Sequence, residues 1–462
     1  LGLFQIESPG QRELVGKFAP NSFNDLIIDI SLFRPGPVKS DMITPFLNAR
    51  QGWSGREIFH PDLLPTLDQT EGVVVFHEQV IEIIATLTGI TLAQADEKRR
   101  ALGHKEGQQE VCDWFFPAAI SRGYPLKVVN EIWDVLRAFA SFGFCKAHAA
   151  AFALPTYQSA WLKTHYPAAF LAGVLTHDPG MYPKRLILDE VRQLDIDIAP
   201  LDINYSDSIY RVERNNERYA IRLALSDLSG ASEREIQSII AHRPYLDLSD
   251  FIHRSGVSRP TAEAILMVGG FDSLHPELNR RDLLLHLMDI YRWSTSNRTA
   301  HGSQLTFGFT PPLSKSGLPD LRRDERVRNE VTHLGMDISH HMIEFYSDFL
   351  NQIGAVRSCD LLSHRSKSSV LVAGVKVALQ TPPVRSGKRV MFLTLDDGYG
   401  CSDATFFEDM QHSYAEVLRN SWLLLVRGEI RRTGARGISL RATGAWELSV
   451  EYEKWRNLAA CE

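Results

Sequence analysis

The residues best equipped for chemistry stand together in 139–167, FASFGFCKAHAAAFALPTYQSAWLKTHYP, where Cys145, Lys146 and His148 precede a long helix-forming run. Three chemistries are open to them. As nucleophile and base, a Cys and a His three residues apart can share a helical face, but such pairs need an orienting third group and usually come from separate elements. As part of a zinc site they need two further ligands, and the obvious candidate, His340-His341, is an adjacent pair pointing two ways. As an anion grip they are nearly complete. Gly143 lets the chain turn, 147–153 favours helix, and Lys146 and His148 stand where unpaired N–H groups and the positive end of the helix dipole favour phosphate. A solvated Lys146 with a core-packed His148 is the plain alternative, and local sequence does not separate the two.

Other cations bear on the choice. The run DEKRR at 96–100 places Arg99 and Arg100 at the end of a helix-like stretch, with His104 and Lys105 just beyond, although two local acids partly neutralise it. Arg34 sits in a loop stiffened by Pro35 and Pro37, where a guanidinium can grip phosphate in bidentate fashion. The stretch LSDLSGASEREIQSII at 225–240 reads as helix, Gly-containing turn and helix, whose Ser229 and Gly230 would offer backbone N–H groups to one phosphate; a plain helical hairpin fits equally. Near the C-terminus Arg427, Arg431, Arg432, Arg436 and Arg441 gather with Phe392, Phe406, Phe407 and Trp422. Charge with stacking platforms is what single-stranded nucleic acid requires, unless those aromatics are core. The lone Asp-x-Asp, Asp195-Ile-Asp197, and the looser pair Asp247 and Asp250 stand away from these cations and are not read as metal ligands.

These groups must be positioned by several domains, because 462 residues exceed one domain several times over. Hydrophobic residues at 44% and charged residues at 23% are ordinary for a soluble globular chain. The net charge of -6 gives no global basic signature, so contact with nucleic acid must come from local patches. No apolar run reaches the roughly 18 residues that span a bilayer. The start, LGLFQIES, has no charged leader, and five scattered cysteines without CxxC fit a reducing cytoplasm. The apolar start without Met suggests a piece of something longer.

The periodicity predicts a multidomain α+β chain. Apolar residues at three- and four-residue spacings make 1–205 mostly helical, with 78–87 and 128–139 as clear helices. A strand-like piece at 218–225 enters a second, smaller helical unit at 206–293. Ser, Thr, Gly and Pro make 294–320 a linker, within which QLTFGF is an apolar island of the kind that docks on partners. Connecting helices fill 321–368, and five strand-like runs in 369–450, with a helix after the third, predict a closed barrel of OB type. A tail occupies 451–462. No repeat of 20 to 50 residues is apparent.

With these residues assembled, the chain resembles the bacterial C-family DNA polymerases, the alpha-subunit type of polymerase III. The matching motifs are LGLFQIES with Gly10-Gln11-Arg12, SFNDLIIDISLFRPGP, EGVVVFHEQVIEI, ADEKRRALG and FASFGFCKAHAAAFALPTYQSAWLKTHYPAAFLAGVL, in order and in spacing, followed by the helix-hairpin-helix unit with Gly269-Gly270-Phe271-Asp272 and the barrel. The resemblance implies that 1–35 ends the palm and 36–205 forms the fingers. It implies that Arg99, Arg100, Phe142, Lys146 and His148 surround the incoming deoxynucleoside triphosphate and the primer-template DNA. It also implies that Gln304, Leu305, Phe307 and Phe309 form a peptide for the sliding clamp. Cys145 stands where the family has Asn, Phe142 where it has Tyr, and Pro155 should kink its helix near Leu154.

The family's three metal-binding aspartates, which hold two Mg²⁺ ions, are expected upstream of Leu1. On that reading no catalytic residue lies in this chain, which would polymerise nothing alone. The short C-terminus leans to the error-prone, damage-tolerant subgroup. A rival reading is a non-catalytic DNA-binding, clamp-docking protein built from polymerase parts.

Overall fold

The computed structural model describes residues 1–33, 42–139, 144–178, 180, 182–215, 218–300, 313–381, 390–432 and 437–459, without the side chains of 9, 215, 293–300 and 459. The chain divides into two compact units, one built on Leu3–Trp161 and the other on Leu162–Arg431 with Ile438–Glu462. The helical stretch read as 36–205 is therefore shared between two bodies.

The first unit is helical. Its helices are α1 (Pro9–Phe18), α2 (Phe23–Leu32), α3 (Ile43–Arg50), α4 (His77–Thr88), α5 (Leu92–Ala101), α6 (Lys105–Ser121) and α7 (Leu126–Phe139), followed by α8 (Lys146–His165). The spacings seen in the sequence account for them: α7 buries Val129, Ile132, Trp133, Leu136 and Phe139 on one stripe. That stripe packs with Val80, Ile83, Ile84 and Leu87 of α4 and with Phe115 of α6 in one core. The approach to α4 is locked by Gln79, whose side-chain oxygen accepts from the N–H groups of Val75 and Phe76 at 2.7 and 3.0 Å. Helix α8 runs through Pro155 to His165.

The second unit combines three parts. Helices α9 (Pro167–His177) and α10 (Lys184–Gln193) pack with a small sheet in which β3 (Arg218–Arg222) lies between parallel β1 (Asp197–Ala199) and antiparallel β2 (Arg211–Asn215). Next come α11 (Glu233–Ala241), α12 (Leu248–Ser255), α13 (Arg259–Met267), α14 (Arg280–Ala300) and α15 (Arg323–Leu334). The backbone of α14 continues into the stretch read as linker. Ser and Thr cost only a fraction of a kcal/mol per residue, up to roughly 0.7, so an established helix can carry them.

The third part is the barrel. Strands β4 (Ser369–Gln380), β5 (Met391–Asp396), β6 (Cys401–Phe406), β7 (Leu423–Arg432) and β8 (Ile438–Glu447) close in the order β4-β5-β6-β8-β7, with α16 (Glu408–Asn420) after the third strand. The expected five strands and inserted helix are present. Closure leaves no open edge. Inward residues such as Val372, Leu393, Phe406, Leu424 and Leu440 form the core, and α17 (Leu448–Ala459) follows the last strand. Phe406 is fully buried whereas Phe392 is 41% exposed, so the two aromatics separate core from surface. Phe406→Ala should cost about 3–5 kcal/mol in a urea titration, and Phe392→Ala no more than about 0.5 kcal/mol.

Candidate nucleic-acid interface

Helix α8 starts where the sequence placed it, but its start is already capped. Both carboxylate oxygens of Glu78 accept from the Lys146 N–H, at 3.0 and 2.9 Å, and the Cys145 thiol donates to Glu78 Oε1 at 3.3 Å. Partial burial works to raise the Glu78 pKa, but these donors and the Ala147 N–H hold it below the usual range. The backbone end of α8 thus carries a resident anion, and the expected phosphate position at the Lys146 N–H is taken. What faces outward is side-chain charge. Lys146 Nζ reaches Gln69 Oε1 at 2.6 Å and lies 5.5 Å from the Phe76 ring centroid. His148 is exposed and stacks edge-on with Phe144 and Phe152, at 5.2 and 4.5 Å, so it is not core-packed.

The same end of α4 brings the second cationic group in. The His77 N–H bonds the Phe144 carbonyl at 2.9 Å, which ties the start of α4 to the approach of α8. Burial lowers the His77 pKa first, and the Arg99 charge lowers it further. Lys146 over Phe76 and the Arg99 charge acting on His77 thus both bear on the start of α4. Asp96 takes up much of the arginine charge: its two oxygens pair with Arg99 Nη2 at 2.8 Å and Arg100 Nη2 at 2.7 Å. A cavity of about 620 Å³ elsewhere in this unit is lined by Met42, Phe59, Val73, Glu57, Glu71 and Asp134, and its three carboxylates make it hostile to phosphate.

In the second unit Ser229 and Gly230 are exposed, with Gly230 at φ +83°, but the Ser229 N–H donates to the His333 carbonyl at 2.7 Å. The sequence reading missed a second hairpin. Gly256 at φ +63° separates α12 from α13, followed by Val257 and Ser258, as Gly230 is followed by Ala231 and Ser232 before α11. The repeated Gly-x-Ser before an apolar-periodic stretch was the available signal. A left-handed glycine with Ser at the next helix cap is the local rule for such a turn.

One carboxylate serves both hairpins. Glu235 Oε2 accepts from the Ser232 N–H at 2.9 Å and its hydroxyl at 2.8 Å, while Oε1 accepts from the Ser258 N–H and the Thr261 hydroxyl, both at 2.9 Å. Burial alone would raise its pKa, yet the Ser232 and Ser258 donors bring it down to about 2.

On the barrel, Arg427, Arg431 and Arg432 are exposed on β7, with Arg427 5.3 Å from the Trp446 ring centroid. Arg441 lies 5.5 Å from the Phe407 ring centroid, and Trp422 is 45% exposed. Of the aromatic set, Phe406 alone is core. Arg34, Phe142, Gln304, Leu305, Phe307, Phe309 and Arg436 lie outside the described residues.

For metals, the one group among the described residues with three converging ligand atoms is Asp189, His341 and Asp396, all buried. It does not fit a cation. His341 Nδ1 accepts the Ile343 N–H at 3.3 Å and Nε2 bonds Asp396 Oδ2 at 3.2 Å; burial works to lower its pKa, but the Asp396, Asp189 and Asp337 carboxylates raise it, so Nε2, the atom a metal would need, holds a proton. Arg185 also pairs with Asp396 at 3.1 Å. Asp247 is the cap of α12, bonded to the Asp250 N–H at 2.8 Å. No helix among the described residues is long and apolar enough to cross a membrane.

A helical unit, paired hairpins and an OB barrel follow one another along the chain, and the comparisons match each part. Residues 1–123 match the bacterial DNA polymerase III alpha subunit finger domain, 195–283 a helix-hairpin-helix motif, and 370–456 an OB-fold nucleic acid binding domain. The chain belongs to the DNA polymerase III alpha-subunit family. It is 34% identical to the error-prone DNA polymerase of Symbiobacterium thermophilum over 90% of this chain and 42% of that protein. It is 32% identical to the DNA polymerase III subunit alpha of Pasteurella multocida, over 93% of this chain and 38% of that protein. The chain thus spans about two fifths of these relatives.

Glu235→Ala should cost about 1–2 kcal/mol through loss of two helix caps. Because its folded pKa is depressed, that stabilisation is present above the unfolded value of 4.5 and fades only as pH falls toward about 2. Urea titrations of wild type and variant should therefore run parallel from about pH 5 to about pH 8 and converge in stronger acid.

Proposed function

We propose that this chain is the nucleotide- and DNA-holding part of a DNA-directed DNA polymerase acting in replication or in error-prone, damage-tolerant synthesis, in the cytoplasm. The observation that carries the reading is that two cations bear on neighbouring residues at the start of α4, Lys146 on Phe76 and the Arg99 charge on His77, with Arg99 inside the stretch that matches a polymerase finger domain.

In this reading Lys146, His148, Arg99 and Arg100, with Arg34 and Phe142 from segments outside the described residues, face the triphosphate of the incoming deoxynucleotide. Glu78 fixes the end of α8 so that the Lys146 side chain, rather than the helix terminus, meets the phosphates. The turns at Ser229-Gly230 and Gly256-Ser258 lie against duplex backbone, held at one spacing by Glu235. Arg427, Arg431, Arg432 and Arg436 track single-stranded template, with the half-buried Trp446 ring beside Arg427 for stacking. Gln304, Leu305, Phe307 and Phe309 dock on the sliding clamp.

Nucleotidyl transfer of this class uses two Mg²⁺ ions, which activate the primer 3′-hydroxyl and neutralise the leaving phosphate when bound. We place their ligands outside this chain, because the Asp189, His341 and Asp396 group is unsuited to a cation.

Lys146→Ala in the complete polymerase should raise the KM for nucleotide roughly tenfold or more, the loss of one charge-assisted contact of about 1.5–3 kcal/mol; unchanged steady-state kinetics would remove the triphosphate assignment. The triple change of Arg427, Arg431 and Arg432 to Ala should weaken single-strand binding and flatten its salt dependence by about 0.7 log units per lost phosphate contact. Anisotropy titrations at several salt concentrations read both. Clamp capture should be lost on replacing Gln304 and Phe307 with Ala, and persistence of capture would reduce QLTFGF to linker.

A further inference from the structure

The chain that leads into the barrel folds back over its outside. Between α15 and β4 it forms short helical turns at Met342–Tyr346, Ser347–Gln352 and Ser358–Ser363. The barrel interior takes Val370 and Val372, so Leu371 and Ala373 lie on the outward face of β4, where Ala373 packs with Ile343, Phe349 and Leu350. The cover is incomplete. A cavity of about 320 Å³ remains, with Ile343, Leu350, Ala355 and Ala373 as its apolar surface. Glu344, Ser347 and Asn351 line one side of it, and Arg357, Asp397 and Tyr399 another.

The turn between β5 and β6 is fixed beside this cavity by a buried acid. Asp397 accepts from the Ser358 N–H and hydroxyl, both at 2.6 Å, and from the Tyr399 N–H at 3.0 Å. Tyr399 is itself 50% exposed, and the Arg357 guanidinium lies 4.3 Å from its ring centroid. Arg357 is exposed, and its side-chain N–H groups have no acceptor among the described residues. A cation–π contact at such a place is worth only about 0.5–1 kcal/mol, so the guanidinium is available to an anion. The exposed Asn351 amide is also without a hydrogen-bond partner among the described residues, and the Glu344 carboxylate meets only His340 Nδ1, at 3.2 Å.

We infer that this cavity takes one nucleoside monophosphate unit, base inward against Tyr399 and phosphate at Arg357, presented by single-stranded DNA. Charge sets the direction of entry. Glu344 and Asp397 oppose a phosphate inside, whereas a neutral base offers ring faces to the apolar surface and leaves its anion at the exposed arginine. Ligand sites usually run to roughly 300–1,000 Å³, so a cavity at the small end suits one ring system. The edge chemistry is selective. The Glu344 carboxylate can only accept and Asn351 can do both, which matches the exocyclic amino group of cytosine or adenine and leaves thymine, which has none, facing an unmatched acceptor. Position ties the cavity to the arginines of β7. Leu371, two residues or about 7 Å along β4 from Ala373, stands opposite Arg427, and its carbonyl accepts the N–H of Val356, another lining residue, at 2.7 Å. The inference rests on the single-strand reading of Arg427 and Arg431 and adds the base readout that phosphate contacts lack.

Fluorescence anisotropy on the full chain, with labelled oligomers of about 12 nucleotides, within the roughly 4–16 that one OB barrel spans, reads the base preference. Oligodeoxycytidine should bind roughly tenfold more tightly than oligodeoxythymidine. Tyr399→Ala should weaken the cytidine oligomer by roughly fivefold to a hundredfold, the loss of one stacked base, and Tyr399→Phe, which keeps the ring, should not. Glu344→Ala should bring the two oligomers to one affinity, and this exposed position keeps the inference falsifiable if Y399A does not fold. Equal measurable affinities of the wild type for the two oligomers overturn it, as does undiminished binding in Y399A. Deoxycytidine monophosphate separates the cavity from the strand. Calorimetry should give it a Kd of roughly 1 mM with the wild type, unchanged when Arg427, Arg431 and Arg432 are all Ala and lost in Y399A. If the wild type binds this nucleotide but neither oligomer, the cavity stands with free nucleotide as its source and the single-strand reading falls. If it binds both oligomers alike and not the nucleotide, the cavity falls and the single-strand reading stands.

Discussion

The first backbone N–H groups of a helix have no partner inside it, and much of this structure depends on where their acceptors come from. Glu78 of α4 caps α8, and Glu235 of α11 caps both its own helix and α13. Each carboxylate thereby does more than end a helix. Glu78 fixes the approach of Lys146, and Glu235 fixes one hairpin against the next, so the parts proposed to face phosphate are set by anions belonging to the protein itself.

The same economy governs charge in a chain whose net charge is -6. Cations are grouped locally, and acids are paired to them or kept behind them. Asp96 holds Arg99 and Arg100 on one face of α5, and the outward positions of β7 carry Arg427 and Arg431 with Glu429 between. Strand alternation places those arginines outward because the alternate residues, Val426, Gly428 and Ile430, are needed inside the barrel. The junction between α10 and β5 is the opposite case, with charges of both signs taken inside and paired there, Arg185 and His341 with Asp396.

Much of the architecture was legible in sequence. The spacing of Val129, Ile132, Trp133 and Leu136 announced α7, and five alternating runs with one helix announced the barrel, because periodicity is a local property that burial enforces. The candidate site was legible only in its cations. Lys146, His148, Arg99 and Arg100 stand out by type and by neighbours, whereas Glu78 looked like one more acid on a helix. The second hairpin left a local trace in Gly256-Val257-Ser258, but its tie to the first, the Glu235 bond to Ser258, joins separate helices and has no local pattern. The linker reading at 294–300 gave way to helix because composition weighs against folding only where no established helix precedes it.

The sequence by itself determined which stretches are helix or strand, which residues carry charge, and through its motifs the family to which the chain belongs. Tertiary structure alone decided which acceptor meets each helix start, which cations remain facing outward, and that Asp189, His341 and Asp396 would share one buried space. Those outcomes depend on pairs separated by tens to hundreds of residues, such as Glu78 with Lys146 and Arg185 with Asp396. Their hydrogen bonds and charges act only over a few ångströms, so the chain must fold before they exist.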